Sequence, residues 1–130
     1  MLGSIEWTGG SQVIAKNQAG QSLNLDWDDG PSPVQLVLLA VGTCSLADVI
    51  TGLKERKVTN ASIEMEGVRR DEVPRIFTSM HMIYNIEGDA PERLVKGLIE
   101  KSHEKYCTVS NMLLESIKIT TELRLTPAKS

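Results

Sequence analysis

The chain contains two cysteines, Cys44 and Cys107, and their thiols are the side chains best suited to chemistry. Cys44 lies in a long apolar stretch, and Cys107 lies in the segment EKYCTVSNML, where a short helix is expected to begin. Two thiols can form a redox couple, ligate a metal or simply pack in a core. Because structural disulfides are rare in a reducing compartment, the sequence leaves a redox site and two small buried residues as the main alternatives.

Metal binding is weakly indicated. The sequence has no Cys-x-x-Cys motif and only two histidines, His81 and His103, neither of which is closely spaced with both cysteines. His103 precedes Cys107 by one helical turn, so it could support the thiol or join it as a metal ligand. The simpler interpretations are a solvated helix residue for His103 and a strand residue for His81. A metal site is therefore only a minor alternative on the residues alone.

The surroundings of each thiol suggest different roles. A helix beginning just after Cys107 would lower the pKa of that thiol, because its free N–H groups favour the thiolate. Small side chains surround Cys44, and they leave space either for a closely packed helix or for a ligand that approaches the sulfur. Asp48 lies one turn further along the same face. We expect it to be structural, paired with an arginine or a backbone donor.

The N-terminal third is predicted to be a β-meander. Apolar and polar residues alternate in three short runs, separated by turns at Gly9-Gly10 and Asn17–Gly20. A long helix follows, with Ser32 as N-cap, Pro33 in the first position and Gln35 completing a capping box. It is expected to extend to Lys54, Arg56 and Lys57, whose charges suit the C-terminal pole.

The rest of the chain alternates between segments with the two-residue period of strands and segments with the 3.6-residue period of helices. Ala61–Glu66 and Arg75–Ile86 are predicted strands, and a capping box at Asp89 and Glu92 begins a helix. A bend near Cys107 precedes a short helix at 110–115, a last strand over 117–125 and a frayed tail over 127–130. The predicted class is α+β in one domain, 1–130: a β-meander, a long central helix, two strands, two helices and a C-terminal strand.

Charge and hydropathy limit the classes of function. The formal net charge is −3 with acids and bases interspersed, so a nucleic-acid interface is not expected. The start of the chain lacks a signal-peptide pattern, and the longest apolar run, 34–46, falls short of the roughly 20 residues that cross a bilayer. The long helix is apolar around its circumference, which predicts burial on nearly all sides and a second subunit to cover it. We expect a soluble, cytoplasmic homodimer.

Four segments resemble the OsmC/Ohr family of osmotically induced and organic-hydroperoxide-resistance proteins. Ser32–Leu36 followed by Gly42–Cys44, and later Tyr106–Ser110, are similar to its two cysteine motifs. Glu66–Thr78 further resembles the OsmC-like subgroup. The resemblance covers essentially the whole chain and implies an OsmC-like fold, with two long helices packed centrally in an intertwined homodimer and active sites at the subunit interface.

The resemblance also implies thiol-dependent reduction of organic hydroperoxides in oxidative-stress defence. Cys44 would be the peroxidatic thiol, which attacks the peroxide and becomes a sulfenic acid. Cys107 would be the resolving thiol, and an external dithiol would reduce the resulting disulfide. No metal or cofactor is implied.

The sequence departs from the family pattern at the residues that activate the thiol. Family members place a Glu after the motif proline, paired with an Arg from the N-terminal sheet, whereas this chain has Val34 there and no arginine before Arg56. Gln35 and His103 are candidate supporting residues. The candidate replacement cations, which could instead be solvated charges at a turn, are Arg69, Arg70 and Arg75.

Two further functions remain open at the level of sequence. An OsmC-like protein without the activating pair could bind an apolar small molecule at the dimer interface, without catalysis. The same two cysteines could also serve as a redox sensor.

Overall fold

A computed structural model describes the whole chain, Met1–Ser130, in two compact units, Met1–Val37 and Leu38–Ser130. It confirms the predicted α+β class and order of elements, while the assignment of residues 1–130 to a single domain stays a prediction. The strands are β1 (Gly3–Gly9), β2 (Gln12–Asn17), β3 (Ser22–Asp26), β4 (Val58–Arg69), β5 (Phe77–Gly88) and β6 (Lys118–Thr126). The helices are α1 (Pro33–Gly52), α2 (Glu92–Lys101) and α3 (Thr108–Asn111), with a π-helical turn at Ser102–Tyr106.

The first unit contains the predicted meander, an antiparallel sheet in the order β1-β2-β3. Its first turn uses Gly9 and Gly10 at φ of 121° and 57°, a conformation that glycine adopts without steric cost. Three large apolar side chains of the sheet stay open to solvent in the single chain. Ile5, Trp7 and Leu23 are 69%, 67% and 55% exposed.

The start of α1 is the predicted capping box. The Gln35 N–H donates to Ser32 Oγ at 3.2 Å, and the Ser32 N–H donates to Gln35 Oε1 at 2.9 Å. These reciprocal bonds satisfy two backbone donors at the helix start.

The predicted end of α1 is wrong. The helix ends at Gly52, and its last turn contains no basic residue, so Lys54, Arg56 and Lys57 follow the helix instead of capping it. The Leu98 side chain of α2 lies within 2.5 Å of where a Cβ on Gly52 would stand. Gly52 thus permits close packing of α2 and, having low helix propensity, is a favourable place for the helix to stop.

The single chain leaves much of α1 uncovered. The buried residues of α1 are Val41, Gly42, Ser45 and Val49, and burial on nearly all sides with the help of a second subunit stays a prediction. Contrary to the sequence-based estimate, the 20-residue helix is long and apolar enough to cross a membrane by length and composition alone. A core helix of a soluble protein passes the same test.

The second unit is built on a three-stranded sheet in the order β4-β5-β6, with β4 antiparallel and β6 parallel to β5. The alternation predicted for β5 is confirmed, since Met80, Met82 and Tyr84 all face inward with 0% exposure. Gly42 of α1 lies so close to the Met65 side chain of β4 that a Cβ would clash with its sulfur. The glycine at this position of α1 therefore serves close packing of the helix on the sheet.

The capping box predicted for α2 is wrong. Pro91 is the N-cap and makes no side-chain hydrogen bond. Asp89 Oδ1 instead accepts a hydrogen bond from the Ala128 N–H at 3.1 Å, and the Lys129 N–H donates to Thr59 Oγ1 at 3.1 Å. The C-terminal segment, predicted to fray, is tied to the fold by these two bonds.

The predicted bend before Cys107 is a π-helical turn, closed by the Cys107 N–H bonding to Ser102 O at 2.6 Å. Cys107 is the N-cap of α3, which spans 108–111 and so begins and ends earlier than the predicted helix at 110–115. A π-helical turn inserts one residue into a helix and is frequent at functional sites. Here Ser102 and His103 lie in the turn, and Cys107 follows it in an extended conformation.

Candidate functional site

Cys107 is fully buried at the start of α3. Its Sγ accepts a hydrogen bond from the Ser110 N–H at 3.4 Å, and both this amide and the Ser110 side chain lower the pKa of the thiol. Burial acts in the opposite direction and is the largest effect, so the pKa of Cys107 is raised from its ordinary 9.0. The prediction of a lowered pKa is therefore wrong: the amide does point at the sulfur, but desolvation outweighs it.

Cys44 lies beside Cys107, although the two are far apart in the sequence. The Cys44 side chain interacts with the Cys107 thiol, and both its hydrogen bonding and its charge help to raise the pKa of Cys107. Cys44 is half-buried, and both cysteines are free thiols. The structure therefore brings together the two cysteines singled out from the sequence, with one of them open to solvent.

His103 lies at the centre of a network of hydroxyl groups. Its Nε2 is 2.8 Å from Tyr84 Oη and 3.3 Å from Ser45 Oγ. Its Nδ1 is 3.3 Å from Ser110 Oγ, the side chain that also contacts the Cys107 thiol. Burial lowers the pKa of His103 from 6.5, so the ring is neutral near pH 7. The interpretation of His103 as a solvated helix residue is wrong.

The network continues from Tyr84 to α1 and back to the π-helical turn. Tyr84 Oη lies 2.5 Å from Ser45 Oγ, and Ser45 Oγ lies 2.9 Å from Ser102 Oγ. Ser102 donates to Asp48 Oδ2 at 2.8 Å, so the partner of Asp48 is a serine hydroxyl and neither of the predicted partners. Burial raises the pKa of Tyr84 to about 12. No buried side-chain nitrogen or oxygen lacks a hydrogen-bond partner.

The three candidate arginines lie at the end of β4 and in the loop between β4 and β5. Arg69 Nε donates to Arg75 O at 2.7 Å, and Arg70 Nε donates to Pro74 O at 2.6 Å. Arg75 Nε donates to Arg70 O at 3.2 Å. Each guanidinium therefore bonds to the backbone of its own loop.

The position of α1 on β4 relates these arginines to the thiols of the same chain. Gly42, two residues before Cys44, packs against Met65 of β4. Arg69 lies four residues beyond Met65, which at about 3.3 Å per residue is roughly 13 Å along the strand. The hydrogen bonds that the three guanidinium groups make go to the backbone of the same segment.

The remaining candidates have structural partners. Gln35 uses its side-chain oxygen in the capping box of α1. His81 lies on β5, where its Nδ1 is 2.7 Å from Thr120 Oγ1. No group of three or more histidine, cysteine or acidic side chains is arranged to hold a metal ion.

Sequence reasoning did not assign a site role to Ser45, Tyr84, Ser102 or Ser110. Two of them did carry a signal. Ser102 is a polar residue on the apolar face of a predicted helix, and Tyr84 lies on the inward face of the predicted strand β5. A buried polar side chain needs a partner, so these positions could have indicated an internal hydrogen-bond network. No signal in the sequence identifies the partners.

Comparison with known proteins agrees with this architecture. The family model described as OsmC-like protein matches residues 26–122. Protein YhfA of Escherichia coli strain K12 is 31% identical over 126 residues, which cover 92% of this chain and 94% of YhfA.

Solved structures show the same fold. A hypothetical protein from Aquifex aeolicus VF5 is 25% identical with a TM-score of 0.90, over 98% of this chain and 97% of that one. The organic hydroperoxide resistance protein OhrB of Bacillus subtilis is 17% identical with a TM-score of 0.64, over 95% and 98% of the two chains. The family match and the identity to YhfA lead to one conclusion: this chain belongs to the OsmC-like family.

Proposed function

We propose that this protein is a thiol-dependent reductase of organic hydroperoxides that acts in oxidative-stress defence. The observation that carries the proposal is the adjacency of the only two cysteines, one half-exposed and one buried. Membership in a family whose relatives include organic hydroperoxide resistance proteins supports the substrate class.

In the proposed reaction, Cys44 is the peroxidatic thiol. Its sulfur attacks one peroxide oxygen, the O–O bond breaks, and an alcohol leaves while Cys44 becomes a sulfenic acid. Cys107 then forms the disulfide with Cys44, and water leaves. An external dithiol reduces the disulfide by two exchange steps and returns both thiols.

The proposed protein is a soluble, cytoplasmic homodimer, and likeness to OsmC and Ohr proteins supports solubility. Along α1, Val37, Leu39 and Ile50 are 40%, 52% and 38% exposed in the single chain, which favours a cover of apolar protein surface. A second copy would supply that cover and could also bring an arginine to Cys44. Size-exclusion chromatography with light scattering should give about twice the chain mass of 14.3 kDa, and a monomer at micromolar concentration would contradict the dimer.

The test of activity is loss of cumene hydroperoxide in the presence of a dithiol. Wild type should turn over, whereas Cys44→Ser should fall to the rate of the dithiol alone. His81→Gln is a matched control, because it alters a histidine of the same sheet that lies outside the thiol network. Equal and negligible rates in wild type and Cys44→Ser would overturn the proposal.

A second candidate function, binding of an apolar small molecule at a dimer interface, is favoured by one observation. The three candidate arginines bond to the backbone of their own segment, while apolar side chains of α1 are exposed. If peroxide reduction is absent and native mass spectrometry detects a co-purified hydrophobic ligand, this function replaces the first. A redox sensor would instead form the disulfide without sustained turnover.

A further inference from the structure

Cys107 has no direct route by which its proton could reach water. Its exposed fraction is 0%, and burial holds its pKa above the ordinary value, so near neutral pH it is a protonated thiol. A thiol must lose its proton to act as a nucleophile. Any attack by Cys107 on sulfur therefore requires an acceptor inside the protein.

Donor and acceptor can be assigned for each hydrogen bond of the network, starting from the carboxylate of Asp48. A carboxylate oxygen accepts from the Ser102 hydroxyl, so the single hydroxyl proton of Ser102 is used in that bond. Ser102 Oγ must then accept from Ser45, and Ser45 Oγ must accept from Tyr84. Each hydroxyl has one proton to donate, so the first bond fixes the next two.

The tautomer of His103 is fixed in the same way. Because Tyr84 donates its proton to Ser45, Tyr84 Oη accepts from His103 Nε2–H at 2.8 Å. The neutral imidazole then has its unprotonated nitrogen at Nδ1, which lies 3.3 Å from Ser110 Oγ. Ser110 in turn contacts the Cys107 sulfur through its hydroxyl and its amide. The Ser110 hydroxyl has two acceptors at 3.3 Å, the Cys107 carbonyl oxygen and His103 Nδ1. The basic lone pair of His103 therefore faces the buried thiol through a single hydroxyl group.

We propose that His103 is a positioning residue for Cys107: it accepts the Cys107 proton through Ser110, and the hydroxyl chain to Asp48 holds it in the tautomer that can do so. The inference rests on the proposed function only in assigning Cys107 as the attacking thiol.

Cys107 forms the disulfide by displacing the oxygen of the Cys44 sulfenic acid. The Cys107 electron pair forms the bond to the Cys44 sulfur, while the S–O bond of the sulfenic acid breaks and hydroxide leaves with a solvent proton as water. Cys107 is oxidised and the sulfenic sulfur is reduced. The Cys107 proton passes to Ser110, whose own hydroxyl proton passes to His103 Nδ1. A matching transfer along the chain delivers a proton to Asp48, which lines an open cleft of about 380 Å³ together with Lys101 and Tyr106.

The charges around His103 allow this role near neutral pH. The titratable groups that face it are Tyr84 from β5, Asp48 from α1 and Cys107 at the start of α3. Tyr84 stays protonated, since burial raises its pKa to about 12. Glu104 and Lys105, on the same π-helical turn, are exposed.

The inference can be tested without peroxide. One equivalent of 5,5′-dithiobis(2-nitrobenzoate) converts the accessible Cys44 to a mixed disulfide and releases one thionitrobenzoate. Attack by Cys107 on the Cys44 sulfur then releases a second thionitrobenzoate, whose absorbance gives the rate of the Cys107 step alone. The variants are His103→Gln, Tyr84→Phe and the control His81→Gln, each checked for folding by circular dichroism.

In wild type the rate at which the second thionitrobenzoate is released should change little between pH 7 and 9, because neutral His103 accepts the Cys107 proton throughout this range. In His103→Gln it should be slower by on the order of 10²-fold at pH 7, the lower end of general-base effects, and should rise about tenfold per pH unit as free thiolate forms. Tyr84→Phe, which removes the acceptor for Nε2–H, should slow it by roughly tenfold. His81→Gln should match wild type.

A role for the network that is only structural would change stability and leave the pH profile flat. The proposal is therefore overturned if folded His103→Gln, or folded Tyr84→Phe when the first variant does not fold, has the rate and profile of wild type. It is also overturned if wild type releases no second thionitrobenzoate. A normal second release with no peroxide turnover would contradict the proposed function and leave this inference standing.

Discussion

Cys44 and Cys107 are neighbours in different surroundings. Cys44 is half-buried on α1, where its neighbour Thr43 bonds only to the backbone of its own helix. Cys107 is completely buried at the end of a π-helical turn and is contacted by Ser110, which leads to His103. The difference indicates that the two thiols are suited to different steps: one can meet a substrate, and the other can react only with what Cys44 presents to it.

The largest expected effect is on the rates of alkylation. Iodoacetamide should modify Cys44 at least about 10²-fold faster than Cys107 in the native protein, because Cys107 becomes accessible only when the structure opens locally. Peptide mass mapping over time measures both rates. In denaturant the two rates should converge. Equal native rates would show that the two surroundings do not differ as described.

The next effect concerns the stability of the buried network. Tyr84→Phe removes a buried hydroxyl that contacts Ser45 and His103, so it should lower the free energy of unfolding by about 1–3 kcal/mol. Thr43→Val removes an exposed hydroxyl on the same helix as Ser45 and should change it by less than about 0.5 kcal/mol. Urea denaturation measures both. Similar values for the two variants would contradict a structural role for the network.

The pH dependence of stability is a smaller effect with a clear sign. His103 has a lowered pKa in the folded state. Its contribution to the free energy of unfolding is therefore complete above pH 6.5 and is lost as the pH falls below that value. Cys107 has a raised pKa in the folded state. Its contribution to the free energy of unfolding is therefore complete below pH 9.0 and is lost as the pH rises above that value. Thermal unfolding should therefore show a plateau between these values. His103→Gln should flatten the acid side alone.

The smallest effect is expected at the loop between β4 and β5. Arg70→Gln should change stability by less than about 0.5 kcal/mol, because the guanidinium bonds only to its own loop. In a monomeric sample it should leave both alkylation rates unchanged. A change in Cys44 reactivity that appears only in the dimer would show that a second copy supplies the missing cation.

The part of the fold set by periodicity could be predicted from the sequence. The alternation over β5 put Tyr84 on one side with Met80 and Met82, which the structure shows to be the buried side, and Ser32 with Gln35 marked the start of α1. The end of α1 was predicted too late, because the basic residues at 54–57 are typical of a last turn, although Gly52, with low helix propensity, precedes them. The contact of Gly52 with Leu98 is remote in sequence, and local pattern cannot report it.

The site was predictable only in its cysteines. The π-helical turn over 102–106 leaves no periodic signal, yet it determines that His103 meets Tyr84 and Ser110. The raised pKa of Cys107 also depends on burial by residues distant in the chain, whereas sequence shows only the adjacent helix start. Tertiary contacts thus raised the pKa of Cys107, which the sequence had predicted to be lowered. They also formed the hydrogen-bond network around His103, which the sequence had not predicted.

The central claim is that Cys44 reacts first and Cys107 second. The most direct measurement is the intact mass of the reduced protein after one equivalent of cumene hydroperoxide. Wild type should lose two hydrogen atoms as the disulfide forms, Cys107→Ser should gain one oxygen atom on Cys44, and Cys44→Ser should stay unchanged. An oxygen gained by Cys44→Ser on Cys107, or an unreacted wild type, would contradict the account.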